Sequence, residues 1–190
     1  SNTEGHSVLL NHFKGGYLAT RHLTELGHKR IGCFTGPLNL FSSNERLDGY
    51  SSALEEAGIP YDPSLIYEGD YQIGKEDEAA RELLEKGVTA IFAFNDIMAF
   101  GVYRALRKQG VSIPQDVSVI GFDNVPFCDL IQPPLSTIYQ PTDKIGQQTV
   151  KVLLDLVDKK ETEEKRTAWL FEPRLIVRES TAPPRKGGAL

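Results

Sequence analysis

Cysteine is scarce in this chain, and so are long apolar runs and surplus positive charge. Cys33 and Cys128 are the only two cysteines in 190 residues. One falls in an expected strand and the other in a loop, so two buried or half-buried thiols are expected rather than a disulfide framework. No apolar run reaches membrane-spanning length and no signal-peptide pattern opens the chain, so no membrane partner is expected and a cytoplasmic location fits. The formal charge of -5 argues against a broad basic surface of the kind that grips nucleic-acid phosphates. His6, His12, His22 and His28 show no metal-ligand spacing with cysteine or carboxylate neighbours, and neither a metal nor a cofactor is expected. There is no G-x-S-x-G elbow and no G-x-x-x-x-G-K-[ST] loop, and no histidine is paired by pattern with a nucleophile. An enzyme reading therefore has a pocket but no mechanism.

What is present is a rhythm of short apolar runs and amphipathic stretches. Residues 117–122 are nearly all apolar and rich in β-branched side chains, bounded by Pro114 upstream and by Asn124 and Pro126 downstream. A run that short reads as a strand buried on both faces, as in a parallel sheet flanked by helices. Similar runs predict strands at 31–35, 65–67 and 90–94, with a short one at 7–10. Helical spacing covers 13–26, 42–57, 74–86 and 97–109, and Gly27, Gly58 and Gly87 follow the first three of these as end caps. Alternation of this kind means right-handed βαβ units and an α/β fold. Beyond Asp123 the rhythm breaks. Further strands are expected near 135–139, 169–172 and 174–177, with a long helix over 142–159 that turns Ile145, Val152, Leu153 and Leu156 inward. The charge run 158–166 reads as a solvated turn, and residues 182–190 as a tail without structure of its own.

Ligands of open α/β sheets bind beyond the carboxyl ends of the strands. Those ends carry Thr35-Gly36, Asp70-Tyr71, Asn95 and Asp123. Ser42-x-x-Glu45 reads as a capping box that opens a helix, which places Arg46 in the first turn, where the helix dipole disfavours a cation. Arg46 is then either a surface residue or a forked donor reaching over the cleft, and chemistry alone leaves both open. Asp96 is expected to N-cap the next helix, leaving Asn95 with donor and acceptor free. Gly15-Gly16 reads as a place of close backbone packing rather than a phosphate loop. The strand-end set suits a polyhydroxylated ligand: charged forks hold hydroxyl pairs, amides donate and accept together, and an aromatic ring lies on an apolar sugar face. The helix over 97–109 and the segment 127–131 carry more apolar residues than one core face needs, so both are expected to face a second copy of the chain.

Over residues 11–180 the chain resembles the effector-binding domain of the LacI/GalR family of bacterial transcription regulators, the sugar and ribose regulators most of all. The strings GGYLATRHLTELGHKRIGCFTGP, ERLDGYSSALEEAGI, AIFAFNDIMAFGVYRALRKQG, IPQDVSVIGFDN, PPLSTIYQP and PRLIVRES carry the resemblance in that order. It implies the type I periplasmic-binding-protein-like fold, a parallel three-layer α/β arrangement of two subdomains. Residues 12–139 would form the C-terminal subdomain, 140–170 the returning part of the N-terminal one, 171–180 a final strand region and 181–190 a tail. Arg46, Asn95 and Asp123 would hold the effector, Tyr71 would lie against it, and Gln140 would add a weaker contact. The implied partners are a small-molecule effector, a sugar by this resemblance, a second copy in a homodimer, and operator DNA through a helix-turn-helix expected upstream of Ser1. The family usually has an aspartate shortly before the Gly-Gly pair, where this chain has Leu10 and then Asn11. The loop positions that mark purine-binding members read Leu40 and Ser42, which favours a sugar. An extracytoplasmic sugar-binding protein of a transport system shares the fold and is the competing expectation.

Overall fold

The strands form at short, mainly apolar runs, and six of the eight described assemble into one main sheet. The computed structural model describes residues 5–158 and 167–185. Its order of elements is β1 (Ser7–Leu10), α1 (His12–Glu25), β2 (Ile31–Thr35), α2 (Phe41–Glu56), β3 (Ile66–Glu68), α3 (Glu76–Glu85), β4 (Ala90–Ala93) and α4 (Asp96–Lys108). It continues with β5 (Ser118–Asp123), β6 (Ser136–Tyr139), α5 (Thr142–Val157), β7 (Ala168–Phe171) and β8 (Arg174–Ile176). Six strands make the main sheet in the order β3-β2-β4-β5-β6-β8, all parallel except β8, which runs antiparallel to β6. β1 and β7 form a separate parallel pair, with Ser7 opposite Ala168 and Leu10 opposite Phe171.

Consecutive residues of a strand point to opposite faces, and β5 shows which helices lie where. A side chain at Gly121 would strike Asp96 and Ala99 of α4, whereas Phe122 packs under Gly15 of α1. Helices therefore cover both faces, and the core between them includes Phe34, Phe92, Phe94, Ile91, Ile120 and Phe122, all essentially sealed from solvent. Cys33 and Cys128 are both buried and unbridged.

Three local expectations are corrected. The capping box does not form: α2 begins at Phe41 with Leu40 as its unbonded cap, and Asn44 reaches back to the Leu38 and Leu40 carbonyls instead. Arg46 consequently sits in the second turn of α2. The cap of α4 is Asn95, whose side chain accepts from the Met98 N–H at 2.8 Å, while Asp96 is the first helical residue. Residues 181–185 of the expected tail are tied down. The Ser118 hydroxyl and His28 Nε2 hold the Ala182 carbonyl at 3.0 and 2.9 Å, and Arg185 pairs with Asp116 at 2.7 Å. Residues 186–190 and 159–166, which include most of the charge run, lie outside the described residues.

α5 packs against β1 rather than on the main sheet. Only Val152 of its expected inward stripe is buried; Ile145 is half-buried, and Leu153 and Leu156 are 56% and 45% exposed. Among the described residues no helix is long and apolar enough to cross a membrane.

Candidate functional site

The site begins with the crossing of α1 and α2. A side chain at Gly16 would collide with the Arg46 carbonyl, and one at Gly49 with the Phe13 carbonyl, so the two helices touch backbone to backbone. This close approach seats Arg46 against the sheet, 5% exposed. Its guanidinium lies 3.7 Å over the Phe122 ring and 5.9 Å from the Tyr71 ring. It donates to the Phe94 carbonyl and, at 3.4 and 3.3 Å, to Nδ1 of His12. Burial pulls the arginine below its ordinary pKa, while Tyr71, Asp123 and Asp96 push it back up. Of the two placements the sequence leaves open for Arg46, the buried one holds.

His12 is the residue that sequence reasoning missed. Arginine can only donate, so His12 Nδ1 must be the acceptor and the ring proton must sit on Nε2. Burial and then the Arg46 charge lower the pKa of His12 to about 4, keeping it neutral. The histidines carried no spacing signal, and nothing short of the α1–α2 crossing brings this one to Arg46.

Asp123 ends β5 in an unusual backbone conformation, with φ 118°, and Asn124 follows at φ 60°. Gln140 Nε2 donates to Asp123 Oδ1. Burial raises the Asp123 pKa to about 6, against the lowering effect of Arg46, with Asp96 raising it further and the Gln140 hydrogen bond lowering it. The loop behind Asp123 is held from two sides. Asp96, buried beneath it, accepts from Val125 N–H at 2.9 Å, the Thr137 hydroxyl at 2.6 Å and the Cys128 thiol at 3.2 Å. From the outer edge, Arg178 grips Asn124 Oδ1 and the Leu135 carbonyl, each at 2.8 Å, and the Asp129 carboxylate.

Tyr71 stands on the opposite side, at φ 65°, its hydroxyl 2.7 Å from Ser43 Oγ and its ring packed where a Gly36 side chain would be. Asn95 is not free: its amide donates to the Tyr71 carbonyl at 3.1 Å while its oxygen caps α4. Thr35 Oγ1, in the same neighbourhood, is the sole buried side-chain oxygen or nitrogen among the described residues without a hydrogen-bond partner. Asp70 does not join the group; it is exposed and pairs with Lys75 at 3.1 Å. Arg46, Tyr71, Asn95, Asp123 and Gln140 are thus brought together, with His12 and Ser43 as unforeseen neighbours. The arrangement offers donors from Arg46 and His12 and an acceptor from Asp123, beside an aromatic ring. Both thiols, Cys33 and Cys128, are held protonated by burial. Among the described residues no group of three or more histidine, cysteine or acidic side chains is arranged to hold a metal ion.

Comparison with known proteins follows the same lines. Residues 20–181 match the family described as periplasmic binding protein-like domain. Among curated proteins, the HTH-type transcriptional repressor PurR of Aliivibrio salmonicida is 37% identical over 175 residues, 91% of this chain and 52% of that protein. The chain thus spans about half the length of the curated relatives it matches. Among solved structures, a LacI family transcriptional regulator from Enterococcus faecium with bound ribose superposes with a TM-score of 0.89 at 37% identity, covering 97% of this chain and 68% of that one. The complex of the transcriptional regulator CelR with cellobiose also gives 0.89, at 35% identity, covering 95% and 55%. Match, fold and strand-end chemistry agree: the chain belongs to the periplasmic binding protein-like family, on its LacI-family branch.

Proposed function

We propose that this chain is the ligand-sensing part of a cytoplasmic DNA-binding transcriptional regulator, and that its effector is a small polyhydroxylated molecule, a sugar in the first instance. One observation carries the reading: a buried guanidinium stacked on Phe122 and a half-buried carboxylate with its pKa raised to about 6 meet at the strand ends, with no nucleophile paired to a base among the described residues. That pair holds hydroxyls on both sides while leaving them chemically untouched. Arg46, Asp123, Asn95 and Gln140 are the polar contacts and Tyr71 the ring against the ligand. The names of the relatives, repressors and regulators, support a sensor over a transport protein. A purine is the second effector class that the family resemblance raises, and Leu40, the cap of α2, with Ser42 in its first turn favours the sugar.

In this reading residues 12–139 are one lobe of the sensor, and α5 with the β1–β7 pair is part of a second lobe completed by chain beyond this segment. Operator DNA is read by a helix-turn-helix elsewhere in the regulator. The protein pairs with its own copy through α4 and residues 127–131, where Phe127 and Leu130 are 61% and 73% exposed and Phe100 is half-buried. The test is a calorimetric titration of the complete regulator with D-ribose, cellobiose and guanine, followed by operator binding with and without the ligand that binds. Saturable sugar binding that changes operator affinity is expected; guanine binding alone would assign the purine class, and no binding by any of the three would refute the sensor reading.

A further inference from the structure

Resting on that sensor reading, we infer that His12 is a specificity-determining residue of the site, donating its Nε2–H to a sugar oxygen beside the one that Arg46 holds. Three observations place it there. His12 is the first residue of α1, just after β1, where the chain passes from the small strand pair to the main sheet. Its ring centre lies 6.3 Å from that of Phe122, the ring under the Arg46 guanidinium. Its Nδ1 is committed as acceptor to Arg46 at 3.3–3.4 Å.

The third observation fixes the chemistry of the other nitrogen. A neutral imidazole has one donor and one acceptor, so an occupied Nδ1 lone pair leaves Nε2 as the donor. No hydrogen bond from Nε2 to a described residue is present, and this atom is not among the sealed, unpartnered ones. The N–H is therefore accessible and aligned by a cation that cannot let the ring flip without losing its own acceptor. Neutrality matters as well, since a protonated ring would set two cations against each other in a half-buried place. Arg46 and His12 then present adjacent donors, and Asp123 with Gln140 presents the acceptor side. A ligand with neighbouring oxygens, one accepting from each donor, satisfies both at once. A ligand lacking the second oxygen would strand a desolvated N–H, the kind of loss by which polar sites discriminate most sharply.

The experiment has two arms. Long-range proton–nitrogen NMR of this chain's histidines should show His12 protonated on Nε2 and bare on Nδ1. In the complete regulator, calorimetry with whichever of D-ribose, cellobiose and guanine binds the unaltered protein is repeated for His12→Phe and His12→Gln. Phenylalanine keeps a ring beside Phe122 but has no nitrogen, whereas glutamine offers an oxygen to Arg46 and an N–H to the ligand. For a sugar, affinity should fall tenfold or more in His12→Phe and recover in part in His12→Gln. Deoxygenating one sugar position should weaken binding to the unaltered protein but cost nothing further in His12→Phe. A proton on Nδ1, or undiminished affinity in His12→Phe, overturns the assignment and leaves the sensor reading standing. Guanine as sole binder overturns the sugar contact, and binding by none of the three overturns the sensor reading and this assignment together.

Discussion

Arg46 carries a full charge at 5% exposure, and its surroundings explain how. The Phe122 ring, the Phe94 carbonyl and the His12 imidazole each take part of the charge that water would otherwise solvate. Asp123 has less compensation, so its carboxyl prefers the proton up to about pH 6. A sugar hydroxyl donates to the ionised form, which is scarce below that pH. Sugar affinity should therefore fall as pH drops from 7.5 to 5, and Asp123→Asn should flatten the profile; a pH-independent titration of the unaltered protein would contradict this. The stability signs run in opposite directions. The Asp123 pKa is raised above its ordinary value of 3.8, so its contribution is present below 3.8 and is lost as pH rises through about 6. The His12 pKa is lowered from 6.5 to about 4, so its contribution is present above 6.5 and is lost as pH falls toward 4. Asp123→Asn should accordingly gain in melting temperature relative to the unaltered chain between pH 4 and 7. A constant difference would mean the carboxylate is better solvated than its burial indicates.

At the scale of elements, the crossing of α1 and α2 decides where Arg46 stands. Gly16→Ala pushes a methyl into the Arg46 carbonyl, and the helices must separate. Overpacking of this sort costs about 1–3 kcal/mol, so denaturant midpoints should drop accordingly and sugar binding should weaken with them. Full stability in Gly16→Ala would show that the helices have slack. Gly15-Gly16 was legible in the sequence as close packing, and the strands at 31–35 and 90–94 were legible because short uncharged apolar runs have one stable home in an α/β domain. The caps were not. Asn95 and Asp96 both favour N-caps, and the choice fell to Asn95 because Asp96 is engaged by Val125, Cys128 and Thr137, partners 29 to 41 residues away. Asn95 looked free for the same reason: the Tyr71 carbonyl it holds comes from another loop. His12 was invisible because its meaning depends on a tertiary contact with Arg46 and on no spacing of its own. Of the strand-end residues, Tyr71, Asn95 and Asp123 do gather at one edge, as parallel strands deliver them, whereas Asp70 lies exposed and paired with Lys75.

At the scale of the molecule, the apolar surface is unevenly covered. α5 leaves Val150, Leu153, Leu154, Leu156 and Val157 largely exposed, and β1 and β7 leave Leu9 and Leu170 exposed. In the proposed regulator the remainder of the second lobe lies over this surface. Leu153→Asp should then change the stability of this chain by less than about 0.5 kcal/mol, as surface substitutions do. In the complete regulator it should cost about 1.5–3 kcal/mol, the value of burying one large apolar side chain. Equal small effects in both would mean that nothing covers α5. In the proposed regulator the exposed Phe127 and Leu130, with the half-buried Phe100 of α4, are assigned to self-association. Leu130→Asp should shift the sedimentation of the regulator from dimer to monomer, and an unchanged dimer would place the interface elsewhere.

Arg46 and Asp123 are proposed to grip an effector rather than merely to stabilise the fold. Calorimetry of the complete regulator with its sugar, comparing the unaltered protein with Arg46→Ala and Asp123→Ala, addresses that claim most directly. Each substitution removes a hydrogen bond to a charged group, so each should weaken binding by about 1.5–3 kcal/mol. Sugar affinity unchanged in both folded variants would contradict the account.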